Sequence, residues 1–165
     1  MSDLEPDRRN AARPEGETHR KSSPGRGNSG CHDEQAERNR ILIAEDHREM
    51  RSLLASALRA EGYDVTECRD GDALVDRIVT SSPSVDFDLI ISDVRMPGHS
   101  GLELLEAGQQ LDGFPPMILI TAFGSDSLHA RAHRLGAVAV FDKPFDIDDL
   151  VKTVAKILPL GWRAR

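Results

Sequence analysis

From Ile41 onward the apolar residues arrive in two alternating rhythms. "ILIA" (Ile41 to Ala44) is a short continuous run. Met50, Leu53, Leu54, Ala57 and Leu58 then recur at i, i+3, i+4, i+7 and i+8, the stripe that an amphipathic helix turns toward a core. Gly62 ends that helix, as a residue tolerant of left-handed geometry. "YDVTEC" (Tyr63 to Cys68) alternates like a strand. Asp70 caps a second helix running through about Val79, with Leu74 and Ile78 inward. "LIIS" (Leu89 to Ser92) is a third strand, and Ser100 opens a helix through about Gln110. "MILIT" (Met117 to Thr121) is a fourth strand, followed by a helix from Ser125 to Leu135 and Gly136. "AVAVF" (Ala137 to Phe141) is a fifth. Asp146 caps the last helix, whose stripe is Ile147, Leu150, Val151, Val154 and Leu158.

Five strand–helix units in strict alternation predict an α/β fold. Strands that read as unbroken Ile/Val/Leu runs are covered on both faces, so the sheet is parallel and lies between two helical layers. Right-handed crossovers then bring all five strand C-termini to one edge, the edge that carries the site in open parallel sheets.

The first 40 residues follow neither rhythm. They contain no Phe, Trp, Tyr, Val or Ile, and their 8 Lys and Arg balance 8 Asp and Glu. Such a segment buries too little apolar surface to offset its ordering entropy and is expected to be a disordered tail. "GRGNSG" (Gly25 to Gly30) matches G-x-G-x-x-G, but no strand precedes it and no amphipathic helix follows, so it reads as linker. His19, Cys31 and His32 read as scattered polar residues of the same tail. The whole net charge of -7 falls in the later part of the chain. A globally acidic protein is poorly suited to a phosphate backbone, which excludes direct nucleic-acid binding as a leading reading. Two cysteines, Cys31 and Cys68, form no CxxC pair or disulfide framework, in keeping with a reducing cytoplasm. No apolar stretch approaches a membrane span or a signal core.

Candidate chemistry collects at the predicted sheet edge. Glu45 and Asp46 follow the first strand, Asp93 ends the third, Thr121 ends the fourth, and Lys143 follows the fifth and precedes Pro144. Each residue alone has an ordinary role: Asp93 or Asp46 as a cap, Thr121 as a strand-end hydroxyl, Lys143 as a surface cation. Their joint placement is the signal. Three close carboxylates need a cation to stay ionised. Oxygen donors without His or Cys favour a hard metal, and magnesium keeps its own waters beside one or two carboxylates. A carboxylate nucleophile attacking phosphorus needs charge neutralised by metal on one side and ammonium on the other. The set therefore suits phosphoryl transfer onto Asp93. His129 and His133, one helical turn apart, read as exposed helix surface, and His99 as solvent-facing.

The motifs "ILIAEDH", "LIISDVRMPGHSGLELL", "ILITAFG" and "VFDKPFDIDDL" resemble the receiver domain of two-component response regulators, from Ile41 to about Leu158. The resemblance implies a flavodoxin-like (βα)5 receiver fold with strand order 2-1-3-4-5. It implies Asp93 as phosphoacceptor, Glu45 and Asp46 as the acidic Mg²⁺ pair, and the backbone carbonyl of Arg95 as a further ligand. Thr121 would be the switch hydroxyl, Lys143 the phosphoryl counter-ion, and Lys143–Pro144 a cis bond. The implied partners are a sensor histidine kinase or phosphotransfer protein and an unidentified downstream protein. The chain closes at "PLGWRAR", residues 159–165, so output is expected through a separate partner, or onward as a phosphorelay intermediate or phosphate sink. No enzymatic activity is expected beyond phosphorylation and autodephosphorylation of Asp93. An aspartate-nucleophile phosphohydrolase would want a second aspartate where Arg95 stands, and no GxxxxGK[ST] marks a P-loop. The chain departs from the family at Val140, where an aromatic ring is usual three residues before the lysine; neighbouring Phe141 is expected to face the other way.

Overall fold

The computed structural model describes residues 38–80 and 87–160. The expected disordered tail, its G-x-G-x-x-G stretch and the C-terminal extension after Leu160 lie outside them.

Five strands, β1 (Arg40–Ala44), β2 (Asp64–Cys68), β3 (Leu89–Asp93), β4 (Met117–Thr121) and β5 (Ala139–Asp142), alternate with five helices. The helices are α1 (Arg48–Ala60), α2 (Gly71–Thr80), α3 (Gly101–Gly108), α4 (Asp126–Arg134) and α5 (Ile147–Ile157). The sheet is parallel throughout, in the order β2-β1-β3-β4-β5. Strand alternation divides the core in two. Ile41, Ile43, Ile91, Ile118 and Ile120 pack against Leu54 and Leu58 of α1 and Leu150 and Val154 of α5. Leu42, Ile90, Met117 and Leu119 pack against Leu74, Leu102, Leu105 and Ala132 of the opposite layer.

The helix starts follow the sequence closely. Ser100 and Glu103 form a reciprocal capping box on α3. Ser125 accepts from the Leu128 amide at the start of α4, and Asp146 from the Asp148 amide at α5. The Asp70 side chain accepts from the Ala73 amide at the head of α2. Gly62 and Gly136 both adopt positive φ where α1 and α4 stop.

Four details differ from the pattern reading. The α1 stripe centres on Leu54, Ala55 and Leu58, and Leu53 is 53% exposed. Asp46 does not cap α1; His47 occupies that position and gives only its carbonyl, to the Arg51 amide. α3 ends at Gly108, before the expected Gln110. Ala137 and Val138 precede β5, because the Ala137 amide is spent on the Ala132 carbonyl in closing α4. Val140 and Phe141 do face opposite layers: Val140 packs with the Leu42 side, Phe141 with the Ile41 side.

Candidate functional site

Parallel pairing sets the rim. Ala44 lies opposite Ser92, Asp93 opposite Ile120, and Thr121 opposite Asp142. The residues just beyond these registers therefore share one edge, and all five predicted side chains stand there: Glu45, Asp46, Asp93, Thr121 and Lys143.

Three of them form one ionic network. The Lys143 ammonium donates to Glu45 Oε2 at 2.8 Å and also pairs with Asp93 Oδ2. Asp93 Oδ1 accepts from the Arg95 backbone amide at 2.8 Å. Glu45 is held further by the His47 amide, which donates to its Oε1 at 3.2 Å. Glu45, Asp93 and Thr121 are buried, at 0%, 4% and 1% exposure. Burial pushes the Glu45 carboxyl above its ordinary range, and the Asp93 charge adds to this; the Lys143 hydrogen bond opposes both. For Lys143, burial acts to lower the value, but hydrogen bonds and charge from Asp93 and Glu45 outweigh it, so it lies above 10.5. Lys143–Pro144 is cis. The Thr121 hydroxyl accepts from the Phe123 amide at 3.2 Å, which leaves its proton available for a donor role.

Asp46 stands apart from this network. Its side chain is 31% exposed and lies beside the His47 ring, with Nδ1 3.1 Å from Asp46 Oδ1 and 3.5 Å from Glu45 Oε1. Glu45, Asp46 and His47 bring ligand atoms within 4.8 Å of one another. Beside the oxygen donors expected from the sequence stands one imidazole, at the exposed margin. Asp46 and Asp93 line one cleft, and their carboxylates would supply the hard oxygen donors that suit magnesium. Arg51, another residue without a sequence signal, fixes the rim by donating to the Glu45 carbonyl at 2.7 Å.

A cleft of about 980 Å³ opens over Asp93. Asp46 and Lys143 lie in its walls, Met50 and exposed Leu53 on the α1 side, and Arg95 and Phe123 on the other. The Arg95 guanidinium stacks over the Phe123 ring, 4.6 Å from its centroid. The other described histidines, His99, His129 and His133, belong to no metal-like cluster among the described residues. His129 pairs with Asp142 at 2.9 Å, and exposed His99 with Asp72 at 2.8 Å. Gly124, in the loop after β4, passes so close to Asp142 that a Cβ there would lie 1.9 Å from its Oδ1.

Comparison with known proteins agrees with this arrangement. A family model described as response regulator receiver domain matches residues 41–155. The chain is similar to sporulation initiation phosphotransferase F of Bacillus subtilis, 34% identical over 121 residues, covering 73% of this chain and 94% of that protein. It is 37% identical over 118 residues to the transcriptional regulatory protein PdtaR of Mycobacterium tuberculosis, covering 70% of this chain and 54% of that one, about half its length. Among solved structures, the Thermotoga maritima response regulator TrrA, in complex with Mg²⁺ and BeF, superposes with a TM-score of 0.62 at 29% identity, covering 73% of this chain and 99% of that one.

Proposed function

The chain belongs to the response regulator receiver domain family, a phosphorylation-dependent signalling class, and from that premise we propose that it takes a phosphoryl group from a sensor histidine kinase or phosphotransfer protein onto Asp93. The observation that carries this reading is the state of Asp93: a carboxylate 4% exposed, at the floor of a cleft, paired with Lys143 and accepting the Arg95 amide. Burying an ion is costly unless partners offset it. A buried carboxylate that nonetheless faces a cleft is suited to chemistry.

In the proposed step, one Asp93 oxygen forms a bond to phosphorus as the bond from phosphorus to the donor imidazole nitrogen breaks, and that nitrogen keeps the electron pair. Lys143 neutralises charge on the incoming group, and the Thr121 hydroxyl donates to a phosphoryl oxygen. Asp46, Asp93 and the Arg95 backbone carbonyl, with Glu45 beside them, would hold Mg²⁺, which would supply further charge neutralisation for the transferred group. The similarity to TrrA, whose structure is a complex with Mg²⁺-BeF, supports a Mg²⁺ site here.

Output through a separate protein is proposed from the similarity to a phosphotransferase matched over 94% of its length. That relative equally favours a relay role as the second reading. A cytoplasmic place of work is proposed with this reading, from the family match. Among the described residues no helix is long and apolar enough to cross a membrane. A phosphohydrolase reading is not favoured, because Arg95 stands where its general acid–base would and cannot give up a proton near neutrality.

Incubation with acetyl phosphate and Mg²⁺, followed by intact mass measurement, tests this reading. One phosphoryl group is expected on the wild type and none on Asp93→Asn. Wild-type yield on the Asp93→Asn protein would overturn the assignment.

A further inference from the structure

The loop from Val94 to Ser100 joins the acceptor strand to α3 and is closed at its neck. There the Gly101 amide donates to the Val94 carbonyl at 3.2 Å, and the Val94 amide to the Ile120 carbonyl at 2.7 Å. The tip of the loop rests on the first turn of α2. The Gly71 amide donates to the Pro97 carbonyl at 3.1 Å. Gly71 has no side chain, and a Cβ there would collide with the backbone of His99, so main chain lies directly on main chain. Gly98, at φ +77°, turns the loop at this point, and the Asp72 carboxylate occupies the space that a Cβ at 98 would need. The His99 ring then reaches back to α2, with Nδ1 2.8 Å from Asp72 Oδ1, across 27 positions of sequence. Facing a carboxylate oxygen, Nδ1 is a nitrogen that carries a proton and donates. Neither side chain lines the Asp93 cleft. What they hold is the stretch between neck and tip, Arg95 and Met96.

We propose that the His99–Asp72 clasp, seated on Gly71, positions the metal site from outside it, by fixing the loop that carries the Arg95 backbone carbonyl. This role rests on the proposed Mg²⁺ reading, in which that carbonyl is a ligand. A side-chain donor can adjust its rotamer; a carbonyl is aimed by its backbone alone. The Arg95 amide is already held by Asp93 Oδ1 at 2.8 Å. The next peptide, from Arg95 to Met96, carries the carbonyl, and its plane follows from where the chain goes afterwards. With the tip fastened, both ends of this stretch are fixed. With the tip free, the loop pivots about its neck and the direction of the carbonyl spreads. Magnesium demands near-ideal octahedral geometry, so a spread of directions weakens binding. Contacts behind a ligand govern metal affinity in this way without touching the ion. The His99 and Asp72 side chains are 56% and 66% exposed, and pairs of that kind add little to global stability. His99 and Asp72 are therefore positioning residues, whose effect falls on the aim of the carbonyl more than on the fold.

The test is a titration of the full chain with Mg²⁺, followed by backbone amide shifts. His99→Ala and Asp72→Ala are each expected to bind Mg²⁺ about two- to fivefold more weakly than wild type, the factor that loss of an exposed pair corresponds to. The double variant should bind no more weakly than the weaker single, because either change opens the same clasp. His99→Asn keeps a donor at the δ position and Asp72→Asn keeps the acceptor; both should stay near wild type. Asp72→Asn also separates the clasp from a long-range charge effect, which would weaken binding as much as Asp72→Ala does. Gly71→Ala should weaken binding about tenfold or more, although alanine is the better helix former, because its methyl parts the two main chains. Thermal midpoints of the His99 and Asp72 variants should match wild type. Wild-type affinity in both alanine variants would overturn the proposal, as would equal weakening in Asp72→Asn and Asp72→Ala. If Mg²⁺ moves no amide at the rim of the wild type, the proposed metal site falls and the positioning role falls with it. Normal binding by the wild type and unchanged affinity in the variants remove the positioning role alone.

Discussion

The interior strands of the rim, β1, β3 and β4, and the outer β5–α4 edge are built to different standards. β1 is buried but for Arg40, and every residue of β3 is buried. At their ends Glu45 and Asp93 form an ionic network with the Arg95 and His47 amides and with Lys143, which reaches in from just beyond β5. On the other side β5 has no buried residue, and α4 buries Ala132 alone. Its polar link, His129 to Asp142, is between partly exposed groups. The acceptor is thus fixed by burial and charge together, while the neighbouring strand and helix are held by a few half-buried contacts. Regions that move are drawn from the low-stability end of a structure, so the molecule separates a rigid place for chemistry from a looser place for its consequence.

Removing the cation is expected to do the most damage to the rigid side. Lys143→Ala leaves two buried carboxylates facing each other and should lower unfolding stability by about 3 kcal/mol, the lower end for a broken buried pair because Glu45 can take up a proton. Denaturant titration reads this. Alkaline pH should erase the difference. Lys143 lies above 10.5 in the folded protein, so its contribution is complete below 10.5 and is lost as pH climbs through the elevated value. A gap between wild type and variant that persisted well above that range would show that the lysine acts by packing rather than charge.

Paired core truncations sharpen the comparison next. Ile91→Ala in β3 should cost about 2–5 kcal/mol, whereas Val140→Ala in half-buried β5 should cost about 1 kcal/mol. Equal losses would break the contrast between the two sides. Native-state hydrogen exchange should rank the same way, with β3 amides opening only near global unfolding and β5 and α4 amides well before it.

The smallest effect is expected at the outer latch. His129→Ala should change stability by no more than about 0.5 kcal/mol, as partly exposed pairs do. A loss near that of Lys143→Ala would mean that α4 is fixed as firmly as the acceptor.

The elements were legible because periodicity, caps and positive-φ glycines agree: Ser100, Ser125 and Asp146 each cap where the apolar pattern begins. Where the reading failed, the cause lies in distant partners. Leu53 continues the α1 apolar pattern, yet the rim places it on the cleft instead of the core. The rim residues themselves were legible, since each closes a strand. Their pairing was not, because Lys143 reaches Glu45 across 98 positions of sequence. The Arg95–Phe123 stack and the His47 ring had no local signal, as their meaning depends on which loops the sheet brings side by side.

Gly124 adds a mechanical point. Its bare Cα lets the loop after Thr121 rest on the Asp142 carboxylate, and Asp142 is the residue next to Lys143. The loop that carries the Thr121 hydroxyl and the strand end that carries the Lys143 ammonium thus touch through one carboxylate, and a methyl group at position 124 would push that exposed carboxylate aside and part them.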